Sequence, residues 1–290
     1  MTSSAVAAAL LRELSFLDDA AAPAPSPHAF AFRLDFEPTL VWPDSSYDTS
    51  SPRARLAPAA RDAVRDTLDA AARLMGTRAA KALDFVNAHT TTALACRSEA
   101  IDGASSASNR SLVGFCLLTN IDAPADRVLV CTEALVHESI HQHLYKTELA
   151  DGNFCDLGEA RTFRSPWSGN RIPLHSLVHA CFVWYGLLGL WCRLARAGVD
   201  PGDAAVVRDK ASRAMFGFAF IRRLFASPAF PLALVQPCIV AAIDRVAEAM
   251  PAFGSDLERR PLRDTLRRRE RGDWVPPLEA ALQRVAGGAG

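Results

Sequence analysis

Net charge is missing from this chain. Its 32 basic side chains are matched by 32 acidic ones, and no basic stripe alternates with aromatics, so the electrostatic footprint of a nucleic-acid binder is absent. Cysteine carries no pattern. The seven cysteines, at positions 96, 116, 131, 155, 181, 192 and 238, are odd in number and lack metal-ligand spacing. They predict buried thiols in a reducing cytoplasm rather than a disulfide frame. A secretory leader is also lacking, because Arg12, Glu13, Asp18 and Asp19 interrupt the apolar pattern of Met1 to Ala22. No repeat of fixed period is present. The one stretch approaching transmembrane length, Leu177 to Ala195, contains His179 and Arg193 and is interrupted by Gly186 and Gly189, which argues against membrane insertion. The expected location is therefore the cytoplasm, with neither nucleic acid nor membrane as partner.

What the chain does have is hydrophobic mass. Half of its 290 residues are hydrophobic, enough to bury a large core in one domain. The expectation is a single metal-dependent domain over residues 1–290, with 1–52 readable as an N-terminal appendage. The fold class expected is mainly α, an α+β arrangement with a small β-sheet, in which the metal-binding helix packs against a second apolar, His-bearing helix.

Periodicity and punctuation predict helices over Ser3 to Leu17, Ala54 to Met75, Thr77 to His89, Leu129 to Leu149, Pro173 to Ala197, Pro201 to Phe225, Pro231 to Met250, Leu257 to Arg271 and Pro277 to Val285. Strands are expected in the alternating Phe30 to Phe36 and in Leu112 to Thr119, with a linker at Ala21 to Pro27 and polar loops at Asp44 to Pro52 and Ser105 to Ser111. Arg259 to Arg271 holds seven arginines against Asp264 and Glu270. It reads as a solvated helix face with intrahelical pairs, or as a dock for an acidic leader or carrier protein.

The most informative feature is Val136-His137-Glu138-Ser139-Ile140-His141, an HExxH motif inside the run Leu129 to Leu149. Residues four apart lie above one another on a helix, so both imidazoles reach one metal ion while Glu138 projects beside it. The flanks Leu135, Val136, Ile140 and Leu144 are apolar, unlike those of a chance match on a surface helix. In a zinc hydrolase the motif glutamate takes the proton of metal-bound water. Non-haem iron oxygenases also use two histidines and a third protein ligand, keeping positions open for a keto acid and O₂.

The third ligand therefore decides much. Leu144 and Thr147 stand where a metzincin needs Gly and His, which excludes that class. Glu159 falls one residue short of gluzincin-like spacing, and such a slip turns a helical side chain by about 100°. A better source is the second apolar helix, opened by Pro173, where His175 and His179 again lie four apart. His179 is the first choice, with His175 and Glu159 as alternatives; His143 lies about 240° round the helix from His137 and faces elsewhere.

Three pieces in this order carry a resemblance. They are Leu112-Val113-Gly114-Phe115, the motif His137 to His141, and the segment from Ser165-Pro166-Trp167 through Pro173-Leu174 into Ala180-Cys181-Phe182-Val183-Trp184-Tyr185. In them the chain resembles the HExxH-containing peptide-modification proteins, the 2-oxoglutarate-dependent HExxH-type peptide β-hydroxylases. The resemblance implies Fe(II) rather than zinc, 2-oxoglutarate and O₂ as cosubstrates, and hydroxylation of an unactivated carbon on a peptide or carrier-bound amino-acid unit in natural-product biosynthesis. It also supports His179 beside His137 and His141 as metal ligand. An anionic cosubstrate needs a fixed cation, and Arg171, ahead of Arg164, is the candidate, with Trp167 and His175 beside it. The alternative activity is that of a zinc metallopeptidase with Glu138 as general base.

Overall fold

The computed structural model describes residues 3–16, 28–37, 54–99, 101, 103–123 and 126–250. The linker at 21–27, the loop at 44–52 and both helices expected beyond residue 250, including the Arg-rich run, lie outside them. The described residues are mainly helical with a small mixed sheet. They divide into two compact units, one built from 19–147 and the other from 1–18 with 148–290.

In the unit of residues 19–147, the sheet has the order β1-β2-β4-β3. Strand β1 (Arg33–Asp35) and strand β2 (Thr92–Cys96) are parallel, joined through helices α2 (Pro58–Arg78) and α3 (Ala80–His89). Strand β2 is in turn parallel to β4 (Phe115–Thr119), against which β3 (Ser105–Ser108) runs antiparallel. Every residue of β4 is buried, as expected of a strand covered on both faces. Alternation along the strands puts Leu94, Cys96, Ala107, Phe115 and Leu117 into one apolar cluster. The alternate residues, Ser106 and Cys116 among them, belong to the opposite face.

Three of these elements differ from expectation, and one of them, β2 at Thr92–Cys96, falls where no element is expected. Ser105 to Ser108, expected as loop, pairs with Cys116 to Thr119, because strand formation rests on a partner distant in sequence rather than on the propensity of serine. Helix α2 begins at Pro58, which occupies the first helical turn, while Ala54 is held further back in a bridge to Arg97.

One residue sets the edge of this sheet. Asn120 adopts a left-handed backbone (φ 56°), a conformation its short amide tolerates. Its Nδ2 donates to the carbonyls of Ser98 (2.9 Å), Ile101 (3.1 Å) and Gly103 (3.1 Å), and its Oδ1 accepts from the Ser98 amide at 3.0 Å. The connection from β2 to β3 is thereby tied to the residue that ends β4.

Helix α4 (Arg127–Asp151) leads out of this unit, and its last turn belongs to the other. There helix α1 (Ser3–Glu13) lies against α5 (Leu174–Ala197): Tyr185 donates to the Leu11 carbonyl at 3.3 Å. A side chain at Gly189 would approach the Phe16 backbone nitrogen to 3.2 Å. Helix α5 is long and apolar enough to cross a membrane, and most of it is buried in the protein's own core. Helix α6 (Pro201–Phe225) packs along it. The expected helix from Pro231 is a short 3-10 turn, Leu232–Leu234, followed by α7 (Pro237–Ala249). Pro237 has no amide to donate and restarts the helix at its own position.

Strands β5 (Thr162–Arg164) and β6 (Arg171–Pro173) form a hairpin whose turn carries Trp167. That indole is buried, stacked on Trp184 with ring centroids 5.7 Å apart and edge-on to Phe218 at 5.3 Å. Its Nε1 donates to the Ala214 carbonyl at 3.1 Å. Gly217 makes the socket, since any Cβ there would collide with the indole. Gly217→Ala is therefore expected to lower stability by about 1–3 kcal/mol, the usual range for overpacking, read as a fall in thermal midpoint with loss of tryptophan fluorescence. A midpoint unchanged from the parent would show that Trp167 is not seated against α6.

Candidate metal-binding residues

Helix α4 is fixed to the sheet by polar side chains buried on one face. Glu138 accepts a hydrogen bond from the Ser106 hydroxyl of β3 at 2.7 Å. Ser139 pairs with the Thr90 hydroxyl at 2.7 Å. Gln142 accepts from the Gly114 amide at 2.6 Å and donates to the Phe115 carbonyl at 2.8 Å. Gly114 has φ +87°, and its amide is presented to the Gln142 side chain by that turn. A buried polar group without a partner costs about 1–3 kcal/mol, so these bonds fix both rotation and height of α4.

About a third of a turn round the helix from that clamp, His137 and His141 stand one above the other, ring centroids 5.0 Å apart and both half-buried. Tyr145 continues the row, stacked on His141 at 5.9 Å. The pair is brought together as the i, i+4 spacing predicts. Glu138 is 3% exposed. Burial first, then Glu138 and Cys131, push the Cys116 thiol well above its ordinary pKa.

His143 is directed elsewhere, to Phe85 at 5.5 Å and His89 at 4.6 Å. Burial first, then the charges of His143 and Lys146, bring the His89 pKa from 6.5 down to about 3.

In the other unit, two residues weighed in sequence, His175 and His179, meet a third that sequence reasoning missed. Glu148, on the last turn of α4, has His175 Nε2 at 2.9 Å and His179 Nε2 at 3.2 Å from the same carboxylate oxygen, Oε2. The Phe154 amide donates to its other oxygen at 3.0 Å. Burial alone would raise the Glu148 pKa, but hydrogen bonds and charge from His175 and His179 outweigh it and hold the carboxyl well below the usual range. His175 and His179 lie on one face of α5, ring centroids 4.1 Å apart and planes tilted by 46°. The available signal for Glu148 was its phase, eleven residues or about three helical turns after His137. An isolated acid near a helix end gives no other sign.

Arg171 is exposed and spans the hairpin, its Nε on the Thr162 hydroxyl and one Nη on the Thr162 carbonyl, both at 2.9 Å. Arg164 lines a cavity of about 300 Å³ with Phe216, Phe220, Ile221 and Leu224. Trp167 offers no spare polar atom: its carbonyl accepts from Arg213, whose guanidinium also lies 5.4 Å over Trp184. Glu159 is on no helix and is paired with Arg161 at 2.6 Å, which lowers its pKa to about 2. His137 and His141 belong to one unit and His179 to the other. No model of a known protein family matches the chain, and no curated protein matches it either.

Two expectations test this architecture. Gln142→Leu leaves the Gly114 amide and the Phe115 carbonyl without their partner, so a loss of about 2–4 kcal/mol is expected in urea unfolding, from about 1–3 per unsatisfied group; an unchanged midpoint would mean that the clamp is not formed. For pH, the unfolded chain protonates His89 near 6.5 whereas the folded chain resists until about 3. His89 thus contributes stability that is complete above about 6.5 and declines as pH falls toward 3. The urea midpoint should drop between pH 7 and 4.5, and drop less in His89→Phe.

Proposed function

We propose that this chain is a metal-dependent enzyme of the HExxH type, and more finely an Fe(II)- and 2-oxoglutarate-dependent oxygenase acting on a peptide or carrier-bound amino-acid unit. The observation that carries the metal reading is the pair His137 and His141, one turn apart with ring centroids 5.0 Å apart and planes tilted by 50°, on a helix that buried hydrogen bonds hold in register. Two imidazoles in that arrangement fit a divalent transition metal and leave coordination positions for a keto acid and O₂. When bound, the iron and 2-oxoglutarate supply the oxidant: one oxygen atom of O₂ enters the substrate C–H bond, the other enters succinate, and CO₂ leaves.

The chain's own residues favour this chemistry over hydrolysis. A hydrolytic general base must accept a proton from metal-bound water, and Glu138 has one carboxylate oxygen engaged by Ser106 on the sheet side of α4. Glu159, the residue that would complete a zinc peptidase site, is turned to Arg161 in a loop. The work left to Glu138 is to orient the helix, while the apolar α4 flanks limit water around the histidines. The third ligand inferred from the resemblance, His179, is engaged with Glu148 in its own unit, so the reading takes His137 and His141 as the fixed pair.

Anaerobic loading with Fe(II) followed by 2-oxoglutarate should produce a metal-to-keto-acid charge-transfer band and, on admitting O₂, succinate. His137→Ala and His141→Ala should abolish both. Glu138→Gln should keep the metal and at least about a tenth of the succinate yield, since general-base loss costs about 10²–10⁴ only where that base is used. Peptide-bond cleavage by the zinc-loaded protein, lost in Glu138→Gln with metal retained, would overturn the oxygenase reading.

A further inference from the structure

Three donor atoms converge outside the HExxH motif. His175 Nε2 and His179 Nε2 lie 2.9 and 3.2 Å from Glu148 Oε2, and one donor atom from each of the three residues falls within 4.8 Å of the other two. With metal–nitrogen and metal–oxygen bonds of about 2.0–2.2 Å, neighbouring ligands of one ion stand about 3.0 Å apart at right angles and about 3.4 Å apart in a tetrahedron. Each nitrogen therefore already stands at a ligand-to-ligand distance from the carboxylate oxygen.

The surroundings are those of a held ligand set. His175 and His179 are one turn apart on α5, which fixes both rings on a single side. The Glu148 carboxylate is oriented from behind by the Phe154 amide at 3.0 Å. Phe154 is fixed in turn, its carbonyl accepting from the Gln236 amide at 2.9 Å. Such outer hydrogen bonds are what orient first ligands at metal sites. Phe154 also packs on the His179 ring at 5.9 Å and on Phe182 at 6.0 Å, giving the donors an apolar wall. Charge balance asks less than this: one buried carboxylate needs one cationic partner, and here two imidazoles meet a single oxygen. Glu148 has no exposed side-chain surface and His179 almost none, while His175 keeps 20%, so the cluster is closed except on the His175 side.

We propose that Glu148, His175 and His179 form a metal centre of their own, a two-histidine, one-carboxylate site for a borderline divalent ion such as Zn(II), Co(II) or Fe(II), additional to the HExxH pair. The nitrogen donors select against Ca(II) and Mg(II), which take oxygen ligands. Binding replaces both imidazole N–H to carboxylate contacts by metal bonds, so any proton held between them is released to solvent. The inference does not depend on the oxygenase reading.

The test is metal counting on the full chain, stripped with chelator and titrated with Zn(II), using calorimetry and elemental analysis, in the parent, His175→Ala, His179→Ala, Glu148→Gln and the double variant His137→Ala/His141→Ala. His175→Ala is half-buried and should fold even if Glu148→Gln does not. The parent should bind one ion more than His175→Ala, and that class of sites should weaken at least about a hundredfold. The double variant should keep that ion. Retention of the parent's full stoichiometry and affinity in His175→Ala would overturn the proposal, leaving an imidazole–carboxylate network only. So would a parent that binds one ion, lost alike in His179→Ala and in the double variant, because His179 would then serve the HExxH pair. Loss of an ion in His175→Ala together with an unchanged count in the double variant would sustain this centre and remove the HExxH reading instead.

Discussion

Everything known of the HExxH pair follows from the seating of α4 by buried polar bonds. Gln142 is the decisive member, because one carboxamide meets both an amide and a carbonyl at the start of β4, and neither contact survives a rotation of the helix. Apolar packing would tolerate such a rotation, being non-directional. Hydrogen bonds do not, since they weaken steeply once misaligned. The face that carries His137 and His141 is thus chosen by residues interleaved with them, at positions 138, 139 and 142.

Two glutamates of this chain illustrate how environment divides labour between like groups. Glu138 is held by the Ser106 hydroxyl and lies near the Cys116 thiol, whose pKa it helps to raise. Glu148 is held by two imidazoles that favour its charged form. The first has the character of a positioning residue and the second that of a ligand or counter-ion, although only the first belongs to a motif.

The long helices were legible in sequence because their signals are local: the apolar period of α4 and α5, and proline at the first turn of α2, α6 and α7. So was the convergence of His137 with His141 and the divergence of His143. Strand β3 was not legible, since four small residues become a strand only when β4 is beside them. Neither was the helix start at Pro237, where a 3-10 turn intervenes, nor Glu148, whose partners lie 27 residues and more further along the chain. Trp167 and Arg171 were conspicuous in a turn and read as cosubstrate contacts. Trp167 is locked to α6, and Arg171 ties its own hairpin together.

Asn120 has a reach larger than its contacts. By gathering three carbonyls around one amide it draws the segment after β2 into a closed loop, and β3 departs from that loop to lie along β4. Ser106 is carried by β3, and Ser106 is what Glu138 meets. The posture of the motif glutamate is therefore inherited at one remove, from a left-handed residue that touches neither the helix nor the histidines in any described bond. Sequence drift at position 120 would be felt as a loosening of the sheet's edge, and the first group to lose its bearing would be a carboxylate that belongs to another element altogether.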